Sequence, residues 1–218
     1  MAERFDLLIF DWDGTLADST ALITHSIQLA FADLDLPVPT REQASFVIGY
    51  GLGEAFAHLA PHAGRVQLDG LVDGYKRHYL ARDGEIALFE GVADAVRHYK
   101  EAGYALAVAT GKSRRGLDRV LEQTGLGRYF DTTRCADECH SKPHPQMIAE
   151  ITELLGVPAS RSVMIGDTTH DLQMAINAGT AALGVSYGAH PKDELASLQP
   201  LGLFDSFGEL DGWLRNHA

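Results

Sequence analysis

The chain has 218 residues, 45% of them hydrophobic and 22% charged, a balance that is ordinary for a globular protein with a sizeable core. Its 30 acidic residues against 18 Lys and Arg give a formal net charge of -12, which disfavours non-specific binding to nucleic acid or to an anionic membrane. Two cysteines are too few for a disulfide scaffold and suit a reducing compartment, so we expect a cytoplasmic protein. Residues 1–6 predict no signal peptide, and no apolar run approaches the roughly 20 residues of a membrane span.

The first predicted element is a buried strand over residues 5–10, a short and largely apolar run. Apolar residues at helical spacing then predict a helix over residues 18–34, which Pro37 and Pro39 end. The pattern stays helical over residues 41–82 and shows no strand-like alternation. Because this stretch is too long for a simple crossover between two strands, we interpret it as an inserted cap domain.

Strands and helices alternate in the rest of the chain. The predicted elements are, in chain order, a helix over 91–102, a strand over 104–109, a helix over 114–124, a strand over 130–136, a helix over 145–155, a strand over 162–165, a helix over 172–178, a strand over 181–185 and a helix within 204–216. This alternation predicts right-handed crossovers and a parallel sheet. We therefore expect an α/β fold, a Rossmann-like parallel-sheet core with an inserted small all-helical cap domain. The expected bounds are residues 1–16 and 84–218 for the core and residues 17–83 for the cap.

Three of the predicted strands end in polar residues. These are Asp11 and Asp13 after the first strand, Thr110 and Lys112 after the second, and Asp167 and Asp171 after the fourth. Ligands of open parallel sheets bind beyond the carboxyl ends of the strands, so we expect the three clusters to converge. Closely spaced carboxylates are unfavourable without a cation or a shared proton. Each acidic pair alone also fits a helix N-cap or a turn, and the convergence is what favours a functional site.

Four short motifs occur in order along the chain. They are Asp11-Trp12-Asp13-Gly14-Thr15-Leu16, a strand that ends in Thr110, the segment Ser141-Lys142-Pro143, and Gly166-Asp167-Thr168-Thr169-His170-Asp171. With these motifs the sequence resembles the haloacid dehalogenase-like hydrolase superfamily, whose patterns are D-x-D-G-T, a Ser or Thr at a strand end, a Lys, and G-D-x(3)-D. The resemblance covers essentially the whole chain.

This resemblance implies a role for each motif residue. Asp11 would attack phosphorus and form an aspartyl-phosphate. Asp13 would act as general acid for the leaving group and then as general base for water. Thr110 and Lys142 would hold the phosphoryl oxygens. The implied cofactor is Mg²⁺, and its implied ligands are Asp11, Asp13 through its backbone carbonyl, Asp167 and, directly or through Lys142 or water, Asp171.

A Gly-rich segment of the helical stretch is the candidate for substrate selection. Gly49, Tyr50 and Gly51 are expected to contact the substrate together with Gly111, although a simple helix–helix connector explains the segment equally well. Within the superfamily the chain looks most like phosphoglycolate phosphatases, so we expect hydrolysis of a small phosphorylated metabolite, with 2-phosphoglycolate as the leading substrate. The alternatives are a pyrophosphatase, a β-phosphoglucomutase-like phosphomutase and a non-catalytic phosphate-binding protein. We expect a monomer or homodimer with neither nucleic acid nor membrane as partner.

Two further clusters imitate other kinds of site. Residues 111–113 resemble the end of a P-loop, but the first glycine of that motif would fall on Leu106. For Lys112 a solvated surface lysine is favoured over a phosphate contact. The two cysteines and His140 cluster as if for zinc, but their spacing fits no standard zinc site and predicts buried or free thiols.

Overall fold

A six-stranded sheet forms the centre of the computed structural model, which describes residues 5–217. The strands are β1 (Leu7–Phe10), β2 (Ala105–Thr110), β3 (Thr132–Cys135), β4 (Ser162–Gly166), β5 (Ala181–Val185) and β6 (Gly202–Phe204). Their order is β3-β2-β1-β4-β5-β6, and every neighbouring pair is parallel. The predicted α/β fold is confirmed, and β1 to β5 each overlap a strand predicted from the sequence. The predictions made for residues 1–4 lie outside the described part of the chain.

Ten helices accompany the sheet within the described residues. They are α1 (Thr20–Asp33), α2 (Arg41–Phe46), α3 (Leu52–Leu59), α4 (Arg65–Leu80), α5 (Val92–Glu101), α6 (Arg114–Thr124), α7 (Gln146–Leu155), α8 (Thr169–Ala178), α9 (Lys192–Ser197) and α10 (Phe207–His217). Short 3₁₀ turns lie at Asp83–Glu85, Leu126–Tyr129 and Ala159–Arg161. Over residues 5–217, none of the helices combines the length and the apolar character needed to cross a bilayer.

The central strand β1 is buried on both faces. Leu8 and Phe10 belong to one apolar cluster, and Leu7 and Ile9 belong to the cluster on the opposite face. Phe10 stacks on Tyr99 of α5 with ring centroids 6.2 Å apart. Burying each such side chain contributes about 1.5–3 kcal/mol, and helices on both faces explain why the strand is a continuous apolar run. The residue that follows β1 is therefore attached to a fully buried strand at the centre of the sheet.

Helices α1 to α4 form a layer of their own, here called the helical insert (residues 20–80). Its apolar cluster includes Ile27, Phe31 and Phe56. Helices α1 and α4 approach closely at Gly74, where an added Cβ would lie only 3.2 Å from the Cβ of Ala30. The absence of a side chain at Gly74 permits this approach. The insert thus has a core separate from the two clusters that cover the sheet. Its status as a domain with bounds at residues 17 and 83 stays a prediction.

Two elements of the fold are absent from the sequence-based prediction. Strand β6 has three residues at the edge of the sheet, and α9 has six residues of which Leu195 is the one that is buried. Elements this short carry too few residues for a periodic pattern. They form because β5 and the neighbouring helices offer partners, which is information that local sequence does not hold.

Candidate active site

The carboxyl ends of β1, β2 and β4 lie side by side because β1 pairs with both other strands. Asp11 follows β1, Thr110 is the last residue of β2, and Asp167 follows β4. The Asp11 N–H donates to the Ile165 carbonyl at 2.9 Å, so the hydrogen-bonded ladder continues up to Asp11 itself. The three polar clusters found in the sequence therefore meet at one edge of the sheet.

A buried group of three carboxylates stands at this edge, and it is here called the acid group: Asp11, Asp167 and Asp171. One oxygen from each lies within 4.8 Å of the others. Lys142 lies against two of them, with its Nζ 2.8 Å from Asp11 Oδ1 and 2.6 Å from Asp171 Oδ1. All four side chains are excluded from solvent. One lysine cannot neutralise three buried acids, so the group favours either protonation or a further cation.

Burial is the main influence on the acid group. It raises the pKa of Asp11 to about 7, although Lys142 lowers that pKa in turn and Asp171 raises it further. Burial, Asp11 and Asp171 together raise the pKa of Asp167 well above its usual range. Burial lowers the pKa of Lys142, but the charges of Asp11 and Asp171 outweigh this, so its pKa lies above the ordinary value and the ammonium stays charged. The site lacks positive charge, not negative charge.

A tight turn after β1 fixes the position of Asp167. Thr15 Oγ1 donates to Asp167 Oδ1 at 2.8 Å, and the Ala189 N–H donates to Oδ2 at 2.8 Å. Gly14 has a φ of 79°, and a Cβ there would lie 2.1 Å from Asp167 Oδ2. Glycine is therefore required at this position both by the backbone conformation and by the close approach to the carboxylate.

Asp171 combines the two roles that the sequence left open. It forms a capping box at the start of α8, in which its Oδ2 accepts from the Thr168 N–H at 3.1 Å and from the Thr168 hydroxyl at 2.7 Å. Its other oxygen contacts Lys142 within the acid group. Thr168 is thus the N-cap residue of α8, and Asp171 completes the capping box with one oxygen while its other oxygen belongs to the acid group.

The acid group fits a hard divalent cation. Both oxygens of Asp11 and Oδ1 of Asp171 are buried without a hydrogen bond of normal geometry, although Lys142 lies within ion-pair distance of two of these atoms. The donors are carboxylate oxygens, the ligand type that Mg²⁺ prefers. Within residues 5–217 no second group of His, Cys, Asp and Glu has this spacing. The orphaned oxygens are therefore where a cation would be held.

Asp13 lies outside the acid group and has its own partners. Ser19 Oγ donates to Asp13 Oδ1 at 2.7 Å, and Lys112 Nζ donates to the two carboxylate oxygens at 2.9 and 3.0 Å. The carboxylate of Asp13 is thus occupied by a hydroxyl and an ammonium and takes no part in the acid group.

Lys112 differs from the sequence-based expectation. Its side chain is 9% exposed, and its Nζ also donates to the Tyr79 hydroxyl of the helical insert at 3.1 Å. The interpretation of Lys112 as a solvated surface lysine is wrong, because Asp13 and Tyr79 compensate its burial. The available signal was its place two residues after Thr110, at one of the three converging strand ends. Ser19 had no comparable signal.

A cavity of about 120 Å³ lies beside Asp11 and Asp13, between the sheet edge and the helical insert. Gly49, Tyr50 and Gly111, three of the four expected substrate contacts, line it. Gly51 instead donates its N–H to Ser141 Oγ at 2.8 Å, which ties the insert to the loop before Lys142. Thr110 is buried, and its Oγ1 accepts the N–H of Lys112 at 3.2 Å.

Two histidines of the core hold the helical insert through a single acceptor. His170 Nε2 and His190 Nε2 lie 2.8 and 3.0 Å from the carbonyl oxygen of Phe46. His190 Nδ1 accepts the Thr169 N–H at 3.0 Å, which leaves its Nε2 as a donor. Burial lowers the pKa of His170 to about 4, and the Tyr50 ring stacks on its imidazole with centroids 4.1 Å apart. Sequence spacing gave no indication of this pair, because the shared partner is a backbone carbonyl.

Comparison with known proteins agrees with the motifs. Residues 8–185 match a family model described as haloacid dehalogenase-like hydrolase. The chain belongs to this hydrolase family. Within the family it is 38% identical over 211 residues to a protein of Dickeya dadantii named probable phosphatase IndB, covering 94% of this chain and 92% of that protein.

Other members of the haloacid dehalogenase-like hydrolase family are similar over nearly their whole length. The chain is 31% identical over 210 residues to a phosphoglycolate phosphatase of Agrobacterium fabrum, covering 94% of this chain and 90% of that protein. The crystal structure of a predicted phosphatase from Clostridium acetobutylicum has a TM-score of 0.85 and 25% identity, covering 97% of this chain and 99% of that one. The resemblance drawn from the four motifs is thus confirmed at the level of the family.

Proposed function

We propose that the chain is a metal-dependent phosphatase that hydrolyses a small phosphorylated metabolite through an aspartyl-phosphate on Asp11. One observation carries the proposal: Asp11 directly follows the central strand, contacts Lys142 and also lines the cavity under the helical insert. Asp11 is therefore the acid that can contact both a phosphoryl group in the cavity and the ammonium of Lys142. The phosphatase names of the relatives support the same class of reaction.

In the first step, a carboxylate oxygen of Asp11 bonds to phosphorus while the bond between phosphorus and the ester oxygen breaks. Asp13 supplies a proton to the leaving oxygen, held at the edge of the cavity by Ser19 and Lys112. Thr110 is suited to hold a phosphoryl oxygen, because its Oγ1 accepts an N–H and its own hydrogen is left to donate. Lys142 offsets the negative charge that develops on the transferred group.

In the second step, water attacks the phosphorus of the aspartyl-phosphate. Asp13, now a carboxylate, takes a proton from that water, and the bond between phosphorus and the Asp11 oxygen breaks. Inorganic phosphate leaves, and both acids return to their starting states. One residue thus serves first as acid and then as base, and the contacts with Ser19 and Lys112 hold it at the edge of the cavity.

The residues that would hold Mg²⁺ are Asp11, Asp167 and Asp171, together with the backbone carbonyl of Asp13. The fit rests on the orphaned oxygens of the acid group and on its shortage of positive charge. When bound, the ion supplies positive charge against the acids and the phosphoryl oxygens. Lys142 lies between the Asp11 and Asp171 carboxylates and orients both of them, with or without the ion.

We further propose that residues 17–83 act as a cap that excludes water and selects the substrate. Contacts of Gly51 with Ser141 and of Phe46 with the two histidines support this role, because they seat the insert on the sheet edge. Among named substrates, 2-phosphoglycolate and pyrophosphate are those that the resemblance suggests. A cytoplasmic location and a monomeric or homodimeric state stay predictions.

The test is a hydrolysis screen against a panel of phosphorylated metabolites, with and without Mg²⁺, for the original chain and for Asp11→Asn. We expect release of phosphate that depends on Mg²⁺ and is abolished by Asp11→Asn. Asp18→Asn is the matched control, because Asp18 is a nearby but exposed acid of the same segment. Turnover by Asp11→Asn at the original rate would contradict the mechanism, and no turnover by the original chain would contradict the function.

A further inference from the structure

The cavity beside Asp11 and Asp13 is largely apolar on the side away from these acids. On the side of the helical insert it is lined by aliphatic and aromatic side chains, among them Ile23, Ile27, Ile48, Phe56 and Tyr75. All five are buried. An ester whose phosphoryl group reaches Asp11 must place its leaving group among them, because the insert forms the wall opposite the acid.

Three cationic residues also line the cavity, and none offers a free buried charge. Lys112 makes two bonds to Asp13 and one to Tyr79. Arg119 is paired with Asp83 at 3.0 Å, although its Nε is buried without a hydrogen-bond partner, and Lys76 is exposed to solvent on α4. A carboxylate or second phosphate on the leaving group would lose its hydration here and would meet buried cations whose charges Asp13 and Asp83 already balance.

The size and shape of the cavity further restrict which leaving group can occupy it. The cavity of about 120 Å³ compares with about 150 Å³ for an apolar cavity that binds benzene. Phe56 meets Tyr75 edge to face with centroids 6.1 Å apart, and Tyr75 stacks on Tyr79 at 5.5 Å. These rings present flat apolar faces of the kind that pack well against another ring.

We propose that the physiological leaving group is a neutral, largely apolar alcohol about the size of one ring, and not an anion such as glycolate or phosphate. The inference rests on the proposed phosphatase function and specifies its substrate class. Each methylene buried in such a cavity is worth about fourfold in kcat/KM, whereas a buried anion without a partner forfeits more than this.

The experiment compares kcat/KM, with Mg²⁺ present, for benzyl phosphate, propyl phosphate, methyl phosphate, 2-phosphoglycolate and pyrophosphate. The first four are esters of primary alcohols or methanol, so their reactivities are similar and the comparison isolates the leaving group. We expect benzyl phosphate to exceed 2-phosphoglycolate and pyrophosphate by at least tenfold, with propyl phosphate between them. An equal or reversed order overturns the inference, while hydrolysis of none of them overturns the proposed function and the inference with it.

Variants of the cavity wall make the comparison specific. Ala55 is buried and lines the cavity, so Ala55→Leu should lower kcat/KM at least tenfold more for benzyl phosphate than for methyl phosphate. If thermal melting shows that Ala55→Leu folds poorly, Leu52→Ala gives the opposite test. It shortens a side chain of the same wall, so it enlarges the cavity and should raise kcat/KM for phosphate esters with larger rings relative to benzyl phosphate. Equal effects on benzyl and methyl phosphate overturn the inference.

Lys112 provides the remaining comparison, because it is a largely buried cation that lines the cavity and could attract a substrate anion. If the inference holds, Lys112→Met lowers kcat/KM for benzyl phosphate and 2-phosphoglycolate by the same factor, since its partner is Asp13. A loss at least tenfold greater for 2-phosphoglycolate means that Lys112 binds the substrate carboxylate, and it overturns the inference.

Discussion

Replacing Gly111 with alanine tests whether the contact between the sheet edge and the helical insert shapes the active site. A Cβ at this position would lie 2.6 Å from the Gly49 carbonyl oxygen and 2.8 Å from that of Tyr50. Both obstacles are backbone atoms, so the insert loop must retreat by roughly 0.8 Å to restore an ordinary contact of about 3.4 Å. Misplacement on this scale costs up to about 100-fold in rate, and overpacking costs about 1–3 kcal/mol of stability.

We therefore expect Gly111→Ala to lower kcat/KM by about 10- to 100-fold and the free energy of unfolding by about 1–3 kcal/mol. The assays are phosphate release with Mg²⁺ and urea unfolding. Gly53→Ala is the matched control, because Gly53 lies in α3 next to the same loop and a Cβ there meets nothing within 4 Å. Gly111→Ala with the original kcat/KM and unfolding free energy would refute the reasoning.

Three further predictions concern the charged groups of the site. Lys142→Met leaves Asp11 and Asp171 without their cation, so activity should be lost and the free energy of unfolding, measured in EDTA, should fall by about 3–5 kcal/mol. The control Lys192→Met removes an exposed ion pair and should change activity and unfolding free energy little, so equal effects of the two variants would contradict the prediction. Lys112→Met should lower kcat more than it raises KM in steady-state kinetics, because Asp13 loses the partner that orients it, and an effect on KM alone would be contrary evidence. His170 has a pKa of about 4 when folded and about 6.5 when unfolded, so between these values the unfolded chain binds the extra proton. The contribution of His170 to the free energy of unfolding should thus fall as pH falls from 6.5 to 4, whereas the raised pKa values of Asp11 and Asp167 act in the opposite direction. The measurement is therefore the difference in pH slope between the original chain and His170→Asn, and an unchanged slope would rule out a contribution from this histidine.

Much of the site was predictable because its residues stand at strand ends. A buried parallel strand is an apolar run, and its end is marked in the sequence by the first polar residue, as at Asp11 and Asp167. Once the alternation of strands and helices indicated a parallel sheet, the convergence of these ends followed from topology alone. The fold class and the acid group could therefore be predicted from the sequence alone.

The contacts between the helical insert and the core were not predictable in the same way. Lys112 looks like a surface residue in the sequence, because its partners Asp13 and Tyr79 come from two distant parts of the chain. His170 and His190 act through the carbonyl of Phe46, an acceptor that every residue type carries. Such contacts depend on how separate layers meet, which neither periodicity nor short motifs encode.

The most direct test of the central claim is to find the covalent intermediate. The enzyme would be mixed with its best phosphomonoester and Mg²⁺, quenched in acid within the first turnover, digested, and examined by mass spectrometry for a phosphoryl group. The account predicts one phosphoryl group on Asp11, and none there in the Asp11→Asn variant. A phosphoryl group on another residue, or full turnover by Asp11→Asn, would contradict it.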